Sequence, residues 1–176
     1  MTNTVKKINM IDAVKLYFKN YFNFTGRASR SEYWWAYLAY VIVVVVIMTA
    51  EGLAMGIDYA AEGGVASTLF TYATLIGWLS LNARRLQDRG HTGWWQLAYF
   101  IPILPLVYFG ILYVITENES HLFAIGLVAL LWIGIFITFI VFLCLPPKED
   151  ENKWGRNPLL PETSLPETSL TDQIPD

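Results

Sequence analysis

Arginine and carboxylate residues crowd two short stretches of the chain. Arg27, Arg30 and Glu32 lie in the first, and Arg84, Arg85, Asp88 and Arg89 lie in the second beside His91. Guanidinium and carboxylate groups form short, charge-assisted pairs, and a guanidinium left over can take a phosphate. Tryptophan pairs adjoin both stretches, Trp34-Trp35 and Trp94-Trp95, and such rings belong at a lipid–water boundary. The chemistry open to this set is clamping of helix ends, capture of a lipid headgroup, or docking of a protein partner. Its plainest use is anchoring at the interface. Arg27, Arg30, Glu32, Arg84, Arg85, Asp88, Arg89, Trp94 and Trp95 are the candidate binding and clamping residues. Catalytic sets are thinner. The chain has one cysteine, Cys144, and no P-loop, dinucleotide fingerprint or HExxH pattern. No Cys/His spacing suits zinc, so no metal or cofactor is expected.

The elements that position these residues follow from composition. Of 176 residues, 55% are hydrophobic and only 15% charged, whereas a soluble domain has about 45–50% and about 25%. Disorder and nucleic-acid binding both need more charge. Four stretches approach or exceed the roughly 18–20 apolar residues that cross a bilayer core. They run Trp34–Ala50, extending toward residue 56; Val65–Leu81, extending to 83; Trp94–Ile115; and Leu122–Leu145, and none contains Lys, Arg, Asp or Glu within those named bounds. The expectation is an all-α, four-helix transmembrane bundle. Residues 1–33 form a cytoplasmic N-terminal segment, 34–145 the membrane domain and 146–176 a cytoplasmic tail.

Orientation comes from the basic residues. All twelve Lys and Arg lie before the first span, between the second and third, or after the fourth. The two remaining connections carry only Glu51, Asp58, Glu62, Glu117 and Glu119. The positive-inside rule places both termini in the cytoplasm. The net charge of −3 conceals this, because the basic side through Pro158 sums to +6, the acidic connections to −5 and the tail from Leu159 to −4. His91 and His121 fall on opposite sides and cannot cooperate. With no ionisable residue inside a span, proton-coupled transport is disfavoured. The long polar lead predicts an uncleaved first helix rather than a signal peptide.

Outside the spans, Ile11, Val14, Phe18, Tyr21 and Phe22 recur at helical spacing over Met10–Phe24. This predicts an amphipathic helix, lying in the interface or packed on the bundle, and broken by Gly26. Ser29 and Glu32 fit a capping box that starts the first membrane helix near Arg30. Pro102 and Pro105 predict a kink over Phe100–Leu104. Gly52 and Gly56 form a GxxxG pattern at the outer end of the first helix, a weak dimer signal. The tail from about 159 is Pro-, Glu-, Ser- and Thr-rich and is expected to be disordered. Its tandem Leu-Pro-Glu-Thr-Ser, Leu160–Ser164 and Leu165–Ser169, resembles a sortase sorting signal. It lacks the following Gly and apolar span of that signal and is not read as an anchor.

Three segments resemble one family, the bacterial inner-membrane proteins known as domain of unknown function 805. Phe24-Thr25-Gly26-Arg27-Ala28-Ser29-Arg30-Ser31-Glu32-Tyr33-Trp34-Trp35 is similar to its opening motif. Arg84-Arg85-Leu86-Gln87-Asp88-Arg89-Gly90-His91-Thr92-Gly93-Trp94-Trp95 is similar to its central motif, with Gln87 where the family usually has His. Asn152-Lys153-Trp154-Gly155-Arg156-Asn157-Pro158 resembles its closing segment. The resemblance implies a bundle in the bacterial cytoplasmic membrane and no particular activity. The leading expectation is a non-enzymatic module whose cytoplasmic Arg/Trp face binds lipid headgroups or a protein partner. A small oligomeric channel or transporter subunit is the alternative, and an enzyme acting on a lipid or phosphate ranks third.

Overall fold

The computed structural model describes residues 7–160, so most of the Leu-Pro-Glu-Thr-Ser repeat lies outside the described residues. Helices carry the fold: α1 (Met10–Lys19), α2 (Arg30–Met55), α3 (Ile57–Ala61), α4 (Val65–Asp88), a 3-10 helix (Gly93–Phe100), α5 (Ile103–Thr116) and α6 (Glu119–Cys144). A two-stranded antiparallel hairpin, β1 (Glu151–Asn152) and β2 (Gly155–Arg156), follows α6. Four segments are long and apolar enough to cross a membrane: Arg30–Met55, Ile57–Asp88, Gly93–Thr116 and Glu119–Cys144. At 26 residues each, α2 and α6 are about 39 Å long at ~1.5 Å per residue, enough for the ~30 Å hydrocarbon core.

Most of the protein interior lies at the basic end, with Ala60 and Ser67 buried at the other. Ile8, Ala13, Tyr17, Ala28, Tyr33, Ala36, Leu81 and Leu143 form one buried cluster. Farther along, α5 buries no residue fully and α6 buries only Leu143. Their Ile, Leu, Val and Phe side chains face outward, as they must where the surroundings are lipid. The structure is therefore a tightly packed polar end carrying apolar helices.

Local chemistry explains the boundaries. Ser29 Oγ accepts from Glu32 N at 3.1 Å and starts α2, but the Glu32 carboxylate bonds Arg84 instead of completing a capping box. At the far end of α2, Gly56 takes φ +101° and turns the chain into α3. Glu51, one of the acidic connection residues, sits in the last turns of α2. Its carboxylate accepts from Ala66 N at 2.6 Å and Ser67 N at 3.3 Å, capping α4. Those donors have no helical partner and lie at the positive end of the α4 dipole. Gly52 packs toward the Ala60 methyl of α3, so half of the GxxxG pattern is spent inside the chain.

The third span differs from expectation in kind. It is a 3-10 helix and an α-helix joined at Ile101–Pro102, not one kinked helix. Pro102 has no N–H for the Tyr99 carbonyl, while Pro105 falls in the first turn of α5, where a missing donor costs nothing. Trp132 Nε1 of α6 donates to the Tyr99 carbonyl at 3.0 Å and replaces the lost bond.

Helix α1 ends at Lys19, earlier than the periodicity suggests and well before Gly26, because Asn20 caps it. It lies against α2 and α4. Tyr17 donates to the Thr74 carbonyl at 2.6 Å, and Tyr21 donates to that of Ala73. Gly77 makes room, since a Cβ there would sit 2.7 Å from Tyr21 Cδ2. Burial, with smaller contributions from Tyr21 and Tyr40, holds the Tyr17 phenol well above its usual pKa. Ile11, Phe18 and Phe22 remain exposed. Leu159, expected in the disordered tail, packs on the core cluster.

Candidate functional site

Three segments far apart in sequence converge at the basic end, and a buried ionic cluster holds them. Asp88, in the last turn of α4, accepts from Arg27 Nε at 2.8 Å through Oδ1 and from Arg85 Nη1 at 2.5 Å through Oδ2. Arg84 Nη1 donates to Glu32 Oε1 at 2.9 Å. All five side chains are 4% exposed or less. This separates them from surface ion pairs, which contribute about 0–1 kcal/mol. Buried charges demand compensation on every side, and backbone carbonyls complete it.

Arg85 donates to the Leu143 carbonyl from Nε (3.0 Å) and Nη2 (2.9 Å), and to that of Leu145 from Nη2 at 2.5 Å. These carbonyls lie at the C-terminus of α6, where the last acceptors have no helical donor and the dipole favours a cation. Arg85 Nη1 also reaches the Ala28 carbonyl at 3.3 Å. Arg27 Nη1 donates to Asp150 (3.2 Å) and Gly155 (3.1 Å), and its Nη2 to Glu149 (2.9 Å), all backbone carbonyls around the hairpin. Arg27 thus ties the start of α2 to the closing segment, and Arg85 ties α4 to α6. Gln87 adds a third strap. Its Nε2 donates to the Phe24 carbonyl at 2.9 Å, and its backbone carbonyl accepts from Asn152 Nδ2 at 3.0 Å.

Of the candidate residues, Arg27, Glu32, Arg84, Arg85 and Asp88 are brought together in this cluster. Arg30, Arg89, Trp94 and Trp95 are not. Arg30 is exposed and borders an open groove of about 650 Å³ with Trp34, Trp35 and Leu38. Arg89 donates to the Pro146 carbonyl at 2.5 Å. Trp94 and Trp95 are 78% and 61% exposed. Sequence reasoning missed Gln87 and Asn152 as straps, and missed the carbonyls that saturate Arg27 and Arg85. The hairpin had a signal: Asn152-Lys153-Trp154-Gly155 places Asn first and Gly fourth, as a type I turn favours.

A catalytic set does not assemble from the histidines. His91 packs on Phe142 with ring centroids 5.0 Å apart, while His121 lies beside Phe109. Among the described residues no group of His, Cys, Asp and Glu could hold a metal ion. An apolar hollow of about 590 Å³ lies between the 3-10 helix and α6 and is lined by His91, Trp95, Thr138 and Phe142 among others.

Known proteins place the chain in context. Inner membrane protein YhaH of Escherichia coli (strain K12) is 33% identical over 86 residues, covering 49% of this chain and 70% of that protein. Inner membrane protein YhaI of the same organism is 37% identical over 86 residues, covering 49% and 69%. No solved structure matches the chain. With four membrane-capable helices and inner-membrane relatives, the protein is a multi-pass membrane protein. The family described as "Protein of unknown function (DUF805)" matches residues 21–156, a range that takes in all three converging segments, and the chain belongs to it.

Proposed function

We propose that the protein is a non-catalytic module of the bacterial inner membrane whose Arg/Trp face binds anionic lipid headgroups. Both termini lie in the cytoplasm, residues 34–145 span the membrane and α1 rests at its cytoplasmic surface. One observation carries the reading. The buried cluster consumes Arg27 and Arg85, while Arg30 stays exposed without an ion-pair partner among the described residues. Around the same end stand exposed Trp35, Trp94 and Trp95, with Arg89 half-buried. Rings at headgroup depth beside the exposed Arg30 guanidinium, and beside Arg89, which is held by a single backbone carbonyl, suit a negatively charged leaflet.

The test removes Arg30 and Arg89 together, leaving the buried cluster alone. Each surface Arg near an anionic leaflet contributes about 1 kcal/mol, so Arg30→Ala/Arg89→Ala should weaken retention of phosphatidylglycerol roughly thirtyfold. Mass spectrometry of lipids retained through mild-detergent purification reads the result. Unchanged lipid content refutes the headgroup reading. Loss of a copurifying protein instead turns the face into a docking surface. Solute flux through liposomes carrying the wild-type protein turns the reading to an oligomeric channel.

A further inference from the structure

Arg84 differs from its two buried neighbours. Every side-chain nitrogen of Arg27 and Arg85 has an acceptor. Arg84 is 3% exposed and uses Nη1 on Glu32, but its Nε and Nη2 have no hydrogen-bond partner among the described residues. Those two nitrogens form one edge of the guanidinium, the fork that takes two oxygens of a single oxyanion side-on. A buried guanidinium with an open fork is costly unless something fills it.

Arg84 lines a pocket of about 280 Å³ with Glu32, Arg27, Asn20, Asn23 and Thr25, closed on its apolar side by Leu16 and Pro158 among others. The amide oxygens of the pocket wall are already engaged, while Glu32 bonds Arg84 through Oε1 alone. Asn23 Oδ1 accepts from Thr25 N and Oγ1 at 3.2 and 3.0 Å, and Asn20 Oδ1 accepts from Asn23 Nδ2 at 3.2 Å. Asn23 and Thr25 are exposed, so the outer wall can yield to an entering group. Charge points the same way. Three arginines face two carboxylates in the cluster, leaving one positive charge buried. Water can accept a hydrogen bond there but cannot neutralise that charge, whereas an oxyanion does both.

We propose that the Arg84 pocket binds a phosphate group through the free Nε/Nη2 edge of its guanidinium. The phosphate belongs to free phosphate or to a lipid headgroup, whose shared chemistry is the oxyanion. The site is internal and separate from the exposed face of Arg30, Arg89 and the tryptophans, so Arg30→Ala/Arg89→Ala leaves it intact and either reading can fail alone.

The test uses the full chain in detergent, titrated calorimetrically with sodium phosphate against sodium chloride of equal ionic strength. Wild type should bind one phosphate per chain. Arg84→Lys keeps a cation for Glu32 but loses the fork, and should weaken binding at least about tenfold, the scale of one charge-assisted hydrogen bond. Thr25→Trp covers the variant that fails to fold: position 25 is exposed, and the indole blocks the pocket mouth without touching the Arg84–Glu32 pair. It should abolish binding. Glu32→Gln keeps an acceptor for Nη1, removes one negative charge, and should tighten binding several-fold. The lipid arm is native mass spectrometry of protein purified with phosphatidylglycerol. One retained lipid per chain, displaced by phosphate and lost in the Arg84 and Thr25 variants, assigns the site to a headgroup. Phosphate binding in lipid-free protein without such retention assigns it to the free ion. Absence of both, or phosphate binding that Thr25→Trp or Glu32→Gln leaves at the wild-type level, overturns the proposal.

Discussion

Replacing Asp88 by Asn tests whether the buried cluster clamps the fold. Asp88 is 1% exposed and serves two guanidinium groups, one on each oxygen. Asn keeps its size but turns one of those oxygens into an NH2, so a donor faces a donor. It also leaves three arginines against Glu32 alone. Removing one member of a buried ion pair costs about 3–5 kcal/mol. The low end applies, because Arg27 and Arg85 each keep three carbonyl acceptors. For a chain of 176 residues, about 3 kcal/mol corresponds to a fall in Tm of roughly 6–12 °C. Thermal unfolding in one detergent, followed by tryptophan fluorescence, measures it. A second, local readout is amide exchange near the hairpin, where Asn157 N donates to the Asp150 carbonyl at 2.7 Å. Arg27 holds that same carbonyl, so the loss of its carboxylate partner should speed exchange there. Arg30→Ala is the control, an exposed site expected to shift stability by no more than about 0.5 kcal/mol. If Asp88→Asn unfolds with the control and its hairpin exchanges as in wild type, the cluster is not a clamp.

Two further outcomes bear on α1 and on orientation. Gly77→Ala places a methyl against Tyr17 and Tyr21 and should cost about 1–3 kcal/mol by overpacking; exchange at the α1 amides should rise, and unchanged protection would mean that α1 does not depend on this contact. A cysteine at Ser120, in a background with Cys144→Ser, should react with an impermeant maleimide in intact cells. Labelling only after lysis would reverse the proposed orientation.

The features legible in the sequence are those that follow from one element at a time. Span length and apolarity mark all four membrane-capable segments. Ser29 marks the start of α2 because its hydroxyl acts within its own turn. Pro102 marks the break in the third span because a missing N–H is a property of the residue itself. What the break becomes was not legible, since the bond that replaces it comes from Trp132, 33 residues away. The pairing of arginines with acids followed from their types. Which arginine meets which acid depends on how α2 and α4 are rotated against each other, and composition does not encode that angle. The carbonyls of Leu143, Leu145, Glu149, Asp150 and Gly155 were invisible for a plainer reason: every residue has a carbonyl. Only the end of α6, where carbonyls lack helical donors, was a place to expect a cation.

On the proposed orientation, the basic residues do two jobs at different times. The positive-inside rule counts charges that the chain presents during insertion, before α2, α4 and α6 have packed. On the proposed orientation, Arg27, Arg84 and Arg85 act at that stage as free cations and hold their segments on the cytoplasmic side. After packing they are buried, and the folded surface no longer displays them. In the proposed function, the charge that directs insertion is therefore not the charge that meets a headgroup. Substituting Arg27 or Arg85 would disturb insertion and packing together and say little about binding. Arg30 and Arg89 address the exposed face, while Arg84, whose Nε and Nη2 both lack a partner among the described residues, addresses the pocket.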